Sequence, residues 1–211
     1  MLRNALKRLA PAPLLHAVRL FRQVEPGARA TLLRLATRRA LGRDGAGLPR
    51  SLRPAPNVLF ICHGNILRSP LAEALYRERV AGTPLASGLI ASAGLHASEG
   101  RGADRRGIAL APEFGVSMES HRARALTSDM ICAADLVLVM DRSNEAETVS
   151  RYPESADKVF LLAAVAGSGG PPVIPDPYSG GVVEVRVAYQ AVEAAVGALV
   201  DRFRSRENIP S

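Results

Sequence analysis

Residues 58–70 read VLFICHGNILRSP, and this stretch decides the fold. Its first four residues are an apolar run of the kind found in strands that are buried on both faces of a sheet. Ser69 is a good N-cap and Pro70 a good first helical residue, so we predict a helix after a short loop. Ligands of open α/β sheets bind at the carboxyl ends of the strands, which makes this loop a candidate site.

The loop combines a thiol with a guanidinium. Cys62 stands at the strand end, and Arg68 can fold back over the same point. Gly64 permits a backbone turn in which successive N–H groups form a concavity for a tetrahedral oxyanion. A helix N-terminus and a nearby arginine favour thiolate formation in general, and an arginine fork binds two phosphate oxygens. The stretch therefore predicts a nucleophile, Cys62, beneath an anion-binding cradle.

Outside the loop, apolar runs alternate with helical patterns. Such alternation implies a parallel sheet with helices on both faces, joined by right-handed crossovers. We predict an α/β three-layer sandwich, with a four-stranded parallel sheet flanked by helices and a basic N-terminal helical extension. The predicted strands are 58–61, 89–92, 136–140 and 159–162, and the predicted helices are 70–80, 103–115, 144–152 and 182–204.

The N-terminal quarter carries most of the positive charge. Residues 1–55 hold twelve Lys and Arg against two acidic residues, whereas residues 56–211 hold fifteen against eighteen. The overall charge therefore gives no reason to expect nucleic-acid binding by the rest of the chain. We predict two parts, a partly helical extension and linker at residues 1–56 and an α/β domain at residues 57–206.

Within the extension, two short apolar faces follow helical spacing. The first is formed by Leu14, Val18 and Phe21, and the second by Leu32, Leu35 and Ala36. We expect the extension to be solvated and weakly ordered. The alternative is a pair of helices that contacts a membrane surface or a partner protein.

The composition narrows the class of protein. The chain has 211 residues, of which 47% are hydrophobic, so it can form a sizeable core. No apolar run reaches the roughly 20 residues that a membrane-spanning helix needs. Two cysteines, Cys62 and Cys132, do not make a disulfide framework, and no signal-peptide pattern opens the chain. We therefore expect a cytoplasmic protein, in which Cys132 is a packed core thiol.

A second loop, late in the chain, carries a carboxylate. Residues 174–178 read IPDPY, so Asp176 lies between two prolines and close to Tyr178. Hydrolysis of an aryl phosphate needs a proton donor for the departing phenolate, and Asp176 on a stiffened loop could supply the proton. Alone, such a sequence is simply a turn, so this interpretation depends on the loop at Cys62.

Together these segments resemble the low molecular weight protein tyrosine phosphatase family, bacterial type. The resemblance covers about residues 57–204 and includes four further motifs. These are SAG at 92–94, GAD at 102–104, HRAR at 121–124 and DLVLVMD at 135–141. The resemblance implies a four-stranded parallel sheet flanked by helices, with no metal and no organic cofactor.

The resemblance also implies a role for each site residue. Cys62 would form a cysteinyl-phosphate, Arg68 would bind the phosphate, and Asp176 would act as general acid and then as base. Asn65 would brace the loop, and Ser69 would donate a hydrogen bond to the sulfur. The implied catalytic set is Cys62, Arg68 and Asp176, and the implied substrate-binding set is His63, Gly64, Asn65, Ile66, Leu67, Ser69 and Tyr178.

Two positions depart from the family's pattern, and residues 1–55 have no counterpart in the family domain. Leu67 stands where many members carry a second cysteine, so a disulfide cannot form within the loop. Ser179 stands where a second aromatic residue commonly follows the Asp-Pro-Tyr motif. Ile66 matches the tyrosine-directed members, whereas the phosphoarginine-directed members carry Thr at this position.

The implied activity is hydrolysis of phosphotyrosine in proteins, and three alternatives stay open. They are a protein arginine phosphatase, a non-catalytic phosphoprotein-binding module and an arsenate reductase. The last needs additional cysteines to resolve its intermediate, and this sequence offers at most Cys132. The implied partner is a phosphotyrosine protein, such as a bacterial tyrosine kinase or a polysaccharide-export protein.

Two histidines and a serine near the loop are considered separately. We do not expect His63 to pair with Cys62, because neighbouring side chains at a strand end point apart. His96 or Ser98 could line the mouth of the cleft, since both follow the SAG motif.

Overall fold

Four parallel strands form the sheet in the computed structural model, which describes residues 21, 24–41, 48–49, 52–167 and 172–207. The strands are β1 Val58–Cys62, β2 Ile90–Gly94, β3 Leu136–Val139 and β4 Val159–Leu161. They stand in the order β2-β1-β3-β4, and each neighbouring pair is parallel. The predicted four-stranded parallel sheet is confirmed, and Cys62 ends an inner strand.

Helices cover both faces of the sheet and complete the predicted three layers. They are α1 Arg29–Ala40, α2 Arg68–Val80, α3 Arg105–Leu110, α4 Ser128–Ala133, α5 Arg142–Arg151, α6 Leu162–Ala166 and α7 Val182–Glu207. On one face, Phe60 packs in a core cluster that includes Leu71 of α2 and Leu199 of α7. On the other face, Ile61 packs in a cluster that includes Val149 of α5. Both faces of β1 are therefore buried.

Some short segments differ from the predicted pattern. The helix predicted over 103–115 is α3 followed by a 3-10 turn at Ala111–Phe114, because Pro112 lacks the N–H that would continue the helix. Cys132, which we expected in the core, is exposed on α4, since Ile131 takes the buried side of that helix. Across the described residues, we find no helix long and apolar enough to cross a membrane.

The described part of the N-terminal extension packs on α5 and is not the solvated segment that we expected. Leu32 and Leu35 of α1 are buried in a cluster with Val24, Ala28 and Ala146, and the last of these belongs to α5. The predicted apolar face of α1 is thus confirmed for its two leucines, whereas Ala36 is exposed. The first predicted face falls mostly outside the described residues, which include neither Leu14 nor Val18.

Polar contacts fasten the same interface. Arg39 of α1 forms an ion pair with Glu145 of α5, and the hydroxyl of Ser150 donates to the carbonyl oxygen of Gly27 at 3.2 Å. The Glu145 side chain is 9% exposed, so the chain buries a carboxylate here together with its counter-ion.

Candidate active site

The loop between β1 and α2 wraps around the sulfur of Cys62. The hydroxyl oxygen of Ser69 lies 3.0 Å from this sulfur, and the backbone N–H of Asn65 donates to it at 3.3 Å. Helix α2 begins at Arg68 with Leu67 as its N-cap, so the prediction that Ser69 caps this helix is wrong. Because the helix starts earlier, Ser69 lies in its first turn with the hydroxyl directed at the sulfur.

Asn65 braces the loop through hydrogen bonds of its side chain. It is fully buried and has a φ of 52°, a left-handed conformation that asparagine adopts more readily than most residues. Its Nδ2 donates to the hydroxyls of Ser69 and Ser92, both at 2.9 Å. Its Oδ1 accepts the backbone N–H of Arg124 at 2.9 Å. These contacts join the loop to β2 and to the HRAR segment, as a bracing role requires.

A further group of polar residues supports Asn65, and sequence reasoning assigned them no contacts. Glu73 accepts a hydrogen bond from Ser92 at 2.6 Å and forms an ion pair with Arg124 at 3.4 Å. The Nε2 of His121 lies 2.7 Å from the carbonyl oxygen of Asn65. Burial lowers the pKa of His121, which favours a neutral ring. The SAG and HRAR motifs include three of these residues, so the motifs were the available signal.

Arg68 is the most deeply buried charge at the site. Its Nη1 donates to the carboxylate of Asp141 at 2.6 Å and to the carbonyl oxygen of Ile174 at 3.2 Å. Its Nη2 forms an ion pair with Asp176 at 2.7 Å. Burial alone lowers the pKa of Arg68, but the negative charges of Asp141 and Asp176 outweigh burial and raise it. The guanidinium therefore stays charged inside the protein.

Asp141 has a second role that the sequence did not reveal. Its Oδ1 accepts the backbone N–H of Asn144 at 2.8 Å, so Asp141 is the N-cap of α5. Its other carboxylate oxygen holds Arg68. The start of α5 is therefore tied to the guanidinium.

The loop that carries Asp176 is anchored at both ends. Before it, the backbone N–H of Ile174 donates to the carbonyl oxygen of Met140 at 2.8 Å. After it, Arg106 donates to the carbonyl oxygens of Tyr178 and Gly180. Arg106 in turn pairs with Asp104, and this hydrogen bond lowers the pKa of Asp104. The loop thus holds the Asp176 carboxylate over the guanidinium of Arg68.

These elements enclose a pocket of about 200 Å³. Eight of the predicted site residues line it, namely Cys62, His63, Gly64, Ile66, Leu67, Arg68, Asp176 and Tyr178. The other two, Asn65 and Ser69, are fully buried and do not line the pocket. Three residues outside the predicted set also line the pocket, namely His96, Ser98 and Arg101. The arrangement places a thiol, a guanidinium and a carboxylate in one small cavity that opens to solvent.

Known proteins share this architecture. Residues 57–208 match the family model described as low molecular weight phosphotyrosine protein phosphatase. A probable low molecular weight protein-tyrosine-phosphatase, EpsP of Ralstonia nicotianae, is 34% identical over 148 residues, which are 70% of this chain and 96% of that protein. The protein-arginine-phosphatase of Geobacillus stearothermophilus is 32% identical over 151 residues, 71% of this chain and 97% of that protein.

A solved structure agrees with the sequence matches. The crystal structure of the Erwinia amylovora tyrosine phosphatase AmsI superposes with a TM-score of 0.66 and 30% identity, covering 74% of this chain and 97% of that one. The family match includes every residue of the pocket described above. The chain therefore belongs to the low molecular weight phosphotyrosine protein phosphatase family.

Proposed function

We propose that this protein is a tyrosine phosphatase that hydrolyses phosphotyrosine in proteins through a cysteinyl-phosphate intermediate. The observation that carries the proposal is the shared pocket of Cys62, the buried Arg68 and Asp176. We assign this activity to residues 57–206 and treat residues 1–56 as an extension of the catalytic domain. Family membership supports the same class of reaction.

In the first step, the Cys62 thiolate attacks phosphorus in line with the phenolic oxygen. An S–P bond forms as the P–O bond breaks, and Arg68 with the loop N–H groups binds the equatorial oxygens, which gain charge in the transition state. Asp176 in its protonated form gives its proton to the departing phenolate. Since Asp176 is paired with Arg68 at 2.7 Å in the free protein, the arriving phosphate takes its place on the guanidinium.

In the second step, water attacks phosphorus from the side that the phenol has left. The Asp176 carboxylate accepts a proton from this water, and the S–P bond breaks to give inorganic phosphate and the Cys62 thiolate. The hydroxyl of Ser69, 3.0 Å from the sulfur, is placed to donate a hydrogen bond to the departing thiolate. The cysteine then returns to its starting state.

Phosphoarginine hydrolysis is the second candidate function. One relative is named a protein-arginine-phosphatase, and its similarity to this chain is close to that of the tyrosine-directed relatives. Ile66 favours phosphotyrosine, because it lines the pocket and is only 5% exposed. An apolar wall there suits an aromatic ring better than it suits a guanidinium, whose N–H groups need acceptors.

For the cellular setting, we propose the cytoplasm, where a thiol nucleophile stays reduced. We propose a tyrosine-phosphorylated protein as the substrate, such as a bacterial tyrosine kinase or a polysaccharide-export protein. The resemblance to bacterial members of the family suggests this partner class.

The test compares phosphotyrosine and phosphoarginine peptides as substrates. We expect phosphotyrosine turnover by the wild type, none by Cys62→Ser, and a loss of about 10²- to 10⁴-fold in Asp176→Asn. Cys132→Ser, which changes the exposed cysteine, is the matched control and keeps full activity. Ile66→Thr should shift preference toward phosphoarginine. If the wild type hydrolysed neither peptide, the proposal would be wrong.

A further inference from the structure

Two imidazole rings form one side of the pocket mouth. His63 and His96 stack with ring centroids 4.5 Å apart and planes 25° from parallel. Both rings line the pocket that contains Cys62. The backbone N–H of His96 also donates to the carbonyl oxygen of His63 at 2.8 Å, so the two loops are joined at this point. The backbone at the two histidines is therefore held together, and the mechanism proposed above does not use the stacked rings.

A buried carboxylate holds the outer ring in place. Glu147 of α5 is 6% exposed, and its Oε1 lies 2.6 Å from Nε2 of His96. Glu147 also pairs with Arg151, which donates to the carbonyl oxygen of Leu95 at 2.8 Å. Glu147 therefore sets the orientation of the His96 ring. The ring of His63 is exposed, and we find no hydrogen bond from it to another described residue.

Around the His63–His96 stack, positively charged side chains outnumber negatively charged ones. Arg101 lines the same pocket, and Arg151 lies beside His96. The carboxylate of Glu147 is shared between Arg151 and His96. Of the other carboxylates, Glu99 accepts the backbone N–H of Ala125, and Asp176 faces Arg68 inside the pocket. Protonation of either imidazole adds a further positive charge.

We infer that the His63–His96 stack, together with Arg101, binds an acidic side chain next to the phosphotyrosine of the substrate. This inference rests on the proposed function and names its substrate class, phosphotyrosine flanked by Asp or Glu. Two protonated rings 4.5 Å apart repel each other, and Glu147 supplies only one carboxylate. A carboxylate on the substrate compensates the second charge, so binding of the acidic peptide and proton uptake favour each other.

The test uses two phosphotyrosine peptides that differ only in their neighbours, Asp and Glu in one and Asn and Gln in the other. The readout is the ratio of their kcat/KM values at pH 6 and pH 7.5, at constant ionic strength. Histidine changes charge in this range. For the wild type we expect a ratio of about two- to fivefold in favour of the acidic peptide, larger at pH 6 and arising in KM.

Two variants separate the imidazoles from general charge effects. His96→Phe keeps an aromatic ring for stacking on His63 but takes up no proton, so the acidic preference and its pH dependence should both shrink. Arg204→Gln removes one positive charge from an exposed position on α7, away from the pocket, and is the matched control. It should leave the peptide ratio as it is in the wild type.

The outcomes distinguish this inference from the proposed function. If the wild type hydrolyses both peptides with equal kcat/KM at both pH values, the inference is overturned and the tyrosine phosphatase activity stands. A preference that survives unchanged in His96→Phe overturns it as well. If the wild type hydrolyses neither these peptides nor p-nitrophenyl phosphate, which has no neighbouring residues, the proposed function and the inference both fail.

Discussion

The guanidinium of Arg68 is held by two carboxylates that differ in how firmly each is anchored. Asp141 also caps α5 and its side chain is 20% exposed, whereas Asp176 lies on a loop and is 42% exposed. A phosphate that enters the pocket should therefore displace Asp176 and leave Asp141 in place. In the free protein, the general acid that we propose competes with substrate for Arg68.

This competition leads to a prediction for Asp176→Asn. Its turnover should fall, but inorganic phosphate should bind more tightly than to the wild type, because a neutral amide competes less for the guanidinium. The measurement is the inhibition constant of phosphate. Asp141→Asn is the comparison and should weaken phosphate binding, since it loosens Arg68. Weaker phosphate binding by Asp176→Asn would contradict the displacement of this carboxylate.

His121 makes stability depend on pH. Burial lowers the pKa of His121 below its ordinary value of 6.5. At pH values between the folded-state pKa and 6.5, the unfolded chain therefore binds a proton at this residue that the folded chain does not bind. The free energy of unfolding should therefore fall as the pH drops below about 6.5 and recover as the pH rises. His121→Gln keeps a donor near the Asn65 carbonyl and should flatten this dependence in urea titrations from pH 5 to 8.

The control for that substitution is Arg204→Gln, at an exposed position on α7 whose charge does not contribute to the pKa of His121. This variant should keep the slope of the wild type. If His121→Gln also kept the wild-type slope, the histidine would not be the group responsible.

Strand β2 ends in a glycine because the active-site loop passes very close to it. A Cβ atom at Gly94 would lie 2.8 Å from the backbone nitrogen of Asn65 and 2.9 Å from the carbonyl carbon of Gly64. Both contacts are with backbone, so Gly94→Ala should push the loop away, lower kcat and cost about 1–3 kcal/mol of unfolding free energy. Gly102→Ala, where the added atom meets nothing within 4 Å, is the control for chemical unfolding and kcat. Equal losses in the two variants would contradict this explanation.

Elements with strong local signals were predictable from the sequence. All four strands are short and mostly apolar, and the predicted bounds agree with the observed ones within two residues. Local patterns failed where a helix is too short to show periodicity, as in α6, which has five residues. The N-cap of α2 also escaped prediction, because Ser69 is engaged by the sulfur of Cys62 and not by the helix backbone.

Local motifs located the candidate site, but not the contacts between distant segments. Motifs of a few residues are enough to predict both the loop at Cys62 and the turn at Asp176. The bond between Arg68 and Asp141 joins positions 73 apart in the chain, and a single sequence carries no signal for such a pair. The same holds for His96 and Glu147. The structure therefore shows polar contacts between distant segments that the sequence alone does not predict.

At the scale of the whole molecule, α5 joins the N-terminal extension to the catalytic pocket. Asp141, the N-cap of α5, accepts a hydrogen bond from Arg68. Glu147 of the same helix forms an ion pair with His96, and Ala146 packs in a cluster with Leu32 and Leu35 of α1. Six of the ten residues of α5 are buried, from Asn144 to Val149. The extension is thus part of the folded structure between residues 24 and 41.

The docking of α1 can be tested with two adjacent leucines. Leu32 is 5% exposed and Leu33 is 57% exposed. Leu32→Ala should lower the free energy of opening of α1 by about 2 kcal/mol, whereas Leu33→Ala should change it by less than about 0.5 kcal/mol. Hydrogen exchange of the amides in residues 29–40 measures this opening. Equal exchange rates in the two variants would mean that α1 does not dock through its buried face.

The distance along the chain between α1 and α5 also has a consequence for the order of events during translation. Arg39 precedes its partner Glu145 by 106 residues. At about 5–20 residues per second, α1 leaves the ribosome about 5–20 s before the helix that it packs on. During that interval Leu32 and Leu35, the two leucines of α1 that are buried in the folded protein, are exposed to solvent or to the surface around the exit tunnel. Synthesis of α5 therefore marks the moment when the nascent N-terminal segment can first become part of the folded protein.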